Sequence, residues 1–309
     1  MADAPAAVSR VILESGHNRL VRGRYGYVLY NKHDIVVGRM IEAYGEYFES
    51  EVEIFRQACR AGDVVLDVGA NIGTHTLAMA SRVGQSGRVL AFEAQRSVFQ
   101  TLCANVALNS LDNVECVHAA VGAEAGTLHL ADLRTDVAQN FGGVDLSQIP
   151  GSVRTPLIAL DAHLAGLSRL RLAKIDVEGM ELDVLRGAKE TIKRLQPVLY
   201  LENDRPAKSE SLLEYIRDDL AYRAYWHLPV DFNEQNFFAN PQRLFAQGFY
   251  DDGKEHLGTI GFAINLLCVP ADADLKMTGF REVADAKEHP MKREHNAKFV
   301  AASQGRSKT

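Results

Sequence analysis

The spacing of hydrophobic positions changes several times along this chain, and each change marks a predicted element. Tyr25-Gly-Tyr-Val-Leu-Tyr30 and Ile35-Val-Val-Gly38 read as short β-like runs around the turn-forming Asn31-Lys-His-Asp34. Ile41, Tyr44, Phe48, Val52 and Phe55 then recur at helical spacing, which predicts one amphipathic helix over 40–59. Residues 64–201 alternate between the two periods. Apolar runs over 64–68, 88–93, 114–119, 156–160 and 197–202, and one ending in Lys174-Ile-Asp-Val-Glu178, predict strands, with a hairpin strand over 127–130. Helices are predicted over 72–82, 97–108 and 180–195, and a polar loop over 132–154. This alternation predicts an α/β fold with a doubly wound parallel sheet. The remainder predicts a helix over 209–220, a strand over 222–228, an Asn- and Phe-rich loop over 231–247 and an antiparallel edge strand over 260–269. Beyond Pro270 the residues are mostly polar, and a loosely attached tail is expected because little apolar surface offsets its ordering entropy. The expected organisation is an N-terminal extension over 1–60 that closes over the site, a main domain over 61–270 and a tail over 271–309.

Composition narrows the function classes. With 47% hydrophobic and 24% charged residues among 309, the chain is ordinary globular material. Lys and Arg number 34 against 40 Asp and Glu, a net charge of −6, which argues against a binder of nucleic-acid backbones. No run approaches the roughly 20 apolar residues of a membrane span. Met-Ala-Asp-Ala-Pro at the start has neither the basic residues nor the apolar core of a signal peptide. Cys59, Cys103, Cys116 and Cys268 lie far apart with no C-x-x-C pair, so reduced thiols and a cytoplasmic location are expected.

Three clusters carry chemistry. Asp67-Val-Gly-Ala-Asn-Ile-Gly73-Thr-His-Thr sits at a strand-to-helix junction, where Gly69 and Gly73 allow a sharp turn and close approach of a ligand. Asn71 replaces the middle glycine of a dinucleotide fingerprint, and an acidic strand end repels pyrophosphate. A cationic, amino-acid-bearing cofactor such as S-adenosylmethionine suits it better. Glu93, ending the next strand, is placed to accept hydrogen bonds from ribose hydroxyls. Finally, period-2 alternation sets Lys174, Asp176 and Glu178 on one face at a carboxyl strand edge.

Val65-Leu-Asp-Val-Gly-Ala-Asn-Ile-Gly-Thr-His-Thr76, Ala91-Phe-Glu-Ala-Gln95 and Lys174-Ile-Asp-Val-Glu-Gly-Met-Glu-Leu-Asp-Val-Leu-Arg-Gly-Ala188 resemble the FkbM family of S-adenosylmethionine-dependent methyltransferases. Tyr44–Glu51, Tyr200–Asp204 and Tyr225–Pro229 add to the likeness, which covers about residues 25–270. The resemblance implies a Rossmann-like class I methyltransferase sheet with an antiparallel C-terminal edge and an N-terminal β/helix extension. It implies O-methylation of hydroxyls on sugars, glycolipids or other natural products, with S-adenosylhomocysteine as product. By position it places Asp67, Gly69, Ala70, Asn71, Gly73 and His75 around the methionine part of the cofactor, Glu93 at the ribose, Ala119 at the adenine, and Ala94 among the cofactor-binding residues. Asp176 then lies near the transferring methyl, and Glu178, Glu202 and His227 face the acceptor hydroxyl. The base is one of Asp176, Glu178 and His227. Asn140-Phe-Gly-Gly143 is a candidate substrate lid, and Asn203 and Trp226 are candidate acceptor contacts, with Phe232, Phe237 and Phe238 as further aromatic candidates. No metal is expected, although Asp176, Glu202 and Asn203 carry oxygen donors of the kind Mg²⁺ accepts. N-methylation of a small molecule and a non-catalytic cofactor-binding module are the alternatives. The expected partner is a small-molecule or saccharide hydroxyl acceptor, with no nucleic acid and the oligomeric state open.

Overall fold

The computed structural model describes residues 10–143, 151–245, 263–274 and 277–292. The chain starts with an antiparallel meander, β1 (Val11–Ser15), β2 (Asn18–Gly23) and β3 (Gly26–Asn31). Ile35–Gly38, expected to be β-like, instead leads into α1 (Val37–Tyr44). The Asp34 carboxylate accepts the Val36 N–H at 2.9 Å and so satisfies a donor at the helix start. The single helix expected over 40–59 is two, α1 and α2 (Glu49–Ala58). Gly45 adopts a left-handed φ of 69° and caps α1 through its N–H on the Ile41 carbonyl, and Phe48, at φ 41°, turns the chain into α2.

The elements that follow are β4 (Val64–Val68), α3 (Thr74–Val83), β5 (Arg88–Glu93), α4 (Arg96–Leu108), β6 (Val114–His118), β7 (Ala120–Val121), β8 (Gly126–Leu130), β9 (Val153–Ile158) and α5 (Leu160–His163). Then come β10 (Leu172–Ile175), α6 (Glu181–Gly187), α7 (Lys189–Leu195), β11 (Val198–Glu202), α8 (Pro206–Glu214) with a π-helical turn over Tyr215–Asp219, β12 (Tyr222–His227), β13 (Asn265–Pro270) and β14 (Arg281–Glu282). The main sheet has the order β14-β12-β13-β11-β10-β4-β5-β6, and β7, β9 and β8 form a smaller one. β6, β5, β4, β10 and β11 are parallel. β13 runs antiparallel between β11 and β12, and β14 runs antiparallel along β12. The strand expected at an edge is therefore inside the sheet, which accounts for its wholly buried residues. Residues 260–262 of that expected strand lie outside the described residues.

Alternation along the strands builds two apolar layers. Leu66, Leu90, Ile175, Leu199 and Leu266 face one layer, shared with Val184, Ile192 and Leu212 of the helices. Val65, Val89, Leu172, Tyr200 and Leu267 face the other, with Phe55 of α2 and Met79 of α3. The helix expected over 180–195 breaks at Ala188. The Asp161 carboxylate accepts the Glu190 and Thr191 N–H groups at 3.0 and 2.7 Å and starts α7 afresh. Beyond Pro270, residues 277–292 are not loosely attached: β14 joins the sheet, and His289 is fully buried with its ring 2.7 Å from the Asn203 carbonyl. Residues 293–309 lie outside the described residues. Among the described residues, no helix is long and apolar enough to cross a membrane.

Candidate active site

Strand order reverses at β4: the chain proceeds outward to β5 and β6, then returns to β10 and β11 on the other side. Such a reversal opens a crevice at the carboxyl ends of the strands. A cleft of about 460 Å³ lies there, within the range of small-molecule sites.

One wall is the turn after β4 and the end of β5. A Cβ on Gly69, at φ 78°, would land on the Asp176 carbonyl, so only glycine lets the ends of β4 and β10 meet this closely. The Glu93 carboxylate accepts the Asn71 and Gln95 N–H groups at 2.9 and 2.7 Å, which locks the turn to β5. Burial pushes Glu93 up to about 7, against the lowering effect of those bonds. Gly69, Ala70, Asn71, Glu93, Ala94 and Ala119 all line the cleft. Gln95 donates to the Phe141 carbonyl at 3.0 Å and so brings Asn140 to the same wall.

The opposite wall is acidic. Asp176 follows β10, and the Lys174 ammonium lies 3.2 Å from its carboxylate and 3.4 Å from that of Asp67. β10 ends at Ile175, so Glu178 is not on a strand face as its spacing suggested; it sits in a left-handed turn at φ 57° yet still reaches the cleft. Asp176, Glu178 and Glu202 present oxygens within 4.8 Å of one another. Arg205 stands among them, 2.6 Å from Glu178 and 3.5 Å from Glu202. Burial, reinforced by Asp176, raises Glu178 to about 8 and lifts Glu202 well above the usual carboxylate range.

Several expected residues do not reach this cleft. Asp67 is fully buried, its carboxylate accepting the Thr76 hydroxyl at 2.6 Å and anchoring the start of α3. Gly73, at φ 90°, packs on Leu102. Asn203 donates to the Ser209 hydroxyl at 2.9 Å and is not among the residues that line the cleft. Trp226 is in the core, edge-on to His289. His227 lies behind the wall, its Nδ1 in a 2.7 Å hydrogen bond with the Tyr200 hydroxyl. For Asp67, Asn203 and His227 a position at a strand end was legible but the side chain's direction was not. Glu51, Arg205 and Asn265, which no sequence motif singles out, also line the cleft. Glu51 had a signal: it lies three residues after Phe48 and four before Phe55, a carboxyl on the apolar stripe of a helix.

The residues present fit S-adenosylmethionine. Each Glu93 oxygen keeps a lone pair for a ribose hydroxyl after its backbone bond, and the acidic far wall suits a sulfonium and an ammonium. Comparison with known proteins agrees. Residues 67–225, more than half the chain, match the family model described as the methyltransferase FkbM domain. Methyltransferase 1 of Beauveria bassiana (strain ARSEF 2860) is 33% identical over 143 residues, 40% of this chain and 57% of that protein. Methyltransferase sdnD of Sordaria araneosa is 27% identical over 219 residues, 56% of this chain and 83% of that protein. The match thus spans little more than half the length of the Beauveria protein. A solved structure, methyltransferase FkbM from Methylobacillus flagellatus KT, superposes with a TM-score of 0.37 at 14% identity, covering 71% of this chain and 50% of that one. The chain belongs to the FkbM family of S-adenosylmethionine-dependent methyltransferases.

Proposed function

We propose that the protein is an O-methyltransferase acting on a hydroxyl of a small molecule, with saccharides, glycolipids and hydroxylated natural products as the acceptor class. The observation that carries this reading is the cluster of carboxyl groups, Asp176, Glu178, Glu202 and Glu51, that lines the same cleft as Glu93 and can take a proton wherever one of them is ionised. A hydroxyl must lose its proton as the new O–CH₃ bond forms, and such a wall can take it.

Bound S-adenosylmethionine supplies an activated methyl on a sulfonium. The chain's own part is to hold and orient. Glu93 grips the ribose, the turn from Gly69 to Asn71 borders the methionine part, and Ala94 and Ala119 flank the base. Asp176, adjoining that turn, orients the acceptor oxygen in line with the methyl, with Lys174 balancing its charge. Glu178 and Glu202, held by Arg205, and Asn140 on the facing loop border the acceptor. Orientation of this kind contributes on the order of 7–11 kcal/mol.

A second reading, methylation of an amine-bearing molecule, is supported by the same acidity, which would draw an ammonium. Incubation with methyl-labelled cofactor and a panel of saccharides, hydroxylated natural products and amines separates the two. The O-methylation reading expects label in an ether; label on nitrogen, or none on any hydroxyl while the cofactor still binds, contradicts it.

A further inference from the structure

Glu51 of α2 faces His75 of α3 across the cleft wall. His75, in the first turn of α3, is held edge-on to Phe55 at 5.3 Å and tilted against Tyr47 at 5.4 Å, and its side chain is only 6% exposed. Its ring lines the cleft, yet Nε2 has no hydrogen-bond partner. The Tyr47 backbone acts on the imidazole as a hydrogen-bond acceptor, which favours the proton on Nδ1 and leaves Nε2 as the atom with a free lone pair. Burial, and next the Lys174 charge, keep this imidazole neutral, well below its ordinary range. A buried acceptor without a donor is costly, and the donor it lacks is one that a ligand brings.

Glu51 supplies the other half. Its carboxylate lies 3.7 Å from His75 Nε2, beyond direct hydrogen bonding but close enough to stabilise an imidazolium. The Asn265 amide holds that carboxylate at 3.1 Å and also donates to the Tyr200 hydroxyl at 2.8 Å, which is itself hydrogen-bonded to His227. This bonded chain fixes the Glu51 head and makes His227 a positioning residue.

We propose that His75 and Glu51 form the proton-accepting pair for the acceptor hydroxyl, a role that rests on the O-methylation reading. As the O–CH₃ bond forms and the S–CH₃ bond breaks, the sulfonium becomes a thioether. The hydroxyl proton enters the pair at His75 Nε2 and comes to rest on Glu51, the more basic of the two. The groups facing Glu51 are Lys174 and Asp176 at the end of β10, Asp67 of β4, His75 of α3, Tyr200 of β11 and Tyr47 before α2. Burial raises Glu51 to about 8, Lys174 opposing and Asp176 and Asp67 reinforcing. The working form, neutral His75 beside ionised Glu51, therefore fills as pH rises through about 8.

Nuclear magnetic resonance on the full chain with isotope-labelled histidine, assigned with His75→Gln, tests the pair without any acceptor. The expected result is an unprotonated Nε2 at neutral pH whose shift steps with a midpoint near 8, the step vanishing in the near-isosteric Glu51→Gln. A protonated Nε2, or an unchanged step in Glu51→Gln, overturns the proposal. With a hydroxyl acceptor from the labelling panel, kcat should rise about tenfold between about pH 7 and pH 9 and lose that rise in Glu51→Gln. His75→Gln should lower kcat about 10²-fold with KM little changed. Circular dichroism spectra that match the wild type certify the folding of both variants. Unaltered kcat and pH profile in both overturn the pair. Transfer to nitrogen only, with the nitrogen-shift step present, contradicts the O-methylation reading instead.

Discussion

Arg205 governs how its neighbouring carboxylates behave. Its guanidinium lies 2.6 Å from both Glu178 and Asp204 and 3.5 Å from Glu202, so the cluster already contains a cation held by the chain itself. Turnover is therefore expected to survive EDTA; loss on chelation with recovery on adding Mg²⁺ would assign the carboxylates to a metal instead. Arg205 also lowers Glu178 against the raising effect of burial and Asp176. Arg205→Ala should move Glu178 above about 8, and any limb of the pH–rate profile that needs Glu178 ionised should shift upward. A limb unmoved by the substitution would separate Glu178 from the chemistry. None of this was legible in Glu202-Asn-Asp-Arg205, because a run of charges does not say which partner each one finds.

Among the elements, helices read from a single apolar stripe were placed well and bounded badly. Spacing alone runs α1 into α2 and α6 into α7. The breaks come from the left-handed turn at Gly45 in the first case and from the distant Asp161 carboxylate in the second. Asp161→Ala should cost about 1 kcal/mol, read as a lower denaturant midpoint with unchanged slope. An unshifted midpoint would mean that α7 starts without that cap. The segment after Pro270 looks dispensable by composition but contributes β14 and the buried His289. A chain ending at Pro270 should unfold at distinctly lower denaturant than the full chain; equal stability would contradict the docking seen here.

At the scale of the molecule, the parallel strands were legible because each is a short apolar run, and β4, β5 and β10 bring Gly69, Glu93 and Asp176 to one edge. Insertion of β13 between β11 and β12 was not, since strand order is a non-local property. The inward turn of Asp67, which anchors Thr76 instead of facing the cleft, was hidden for the same reason. The site also stores protons. Glu51 and Glu178, raised to about 8, and Glu93, raised to about 7, stay protonated in the fold where an unfolded chain releases them near 4.5. Native protein thus binds more protons across that window, and its stability should fall as pH rises from about 4.5 to about 8. Denaturant midpoints that rise across the window would contradict this sign. A cationic cofactor reverses the preference, so its affinity should be higher near pH 8.5 than near about pH 6.

The most direct measurement is a calorimetric titration of S-adenosylmethionine into the wild-type protein and Glu93→Ala. Two hydrogen bonds to an ionised carboxylate contribute roughly 1.5–3 kcal/mol each. The expected result is saturable binding at one site in the wild type, weakened at least about tenfold by the substitution. Absence of binding to the wild type, or equal affinity in both, would contradict the placement of the cofactor against Glu93.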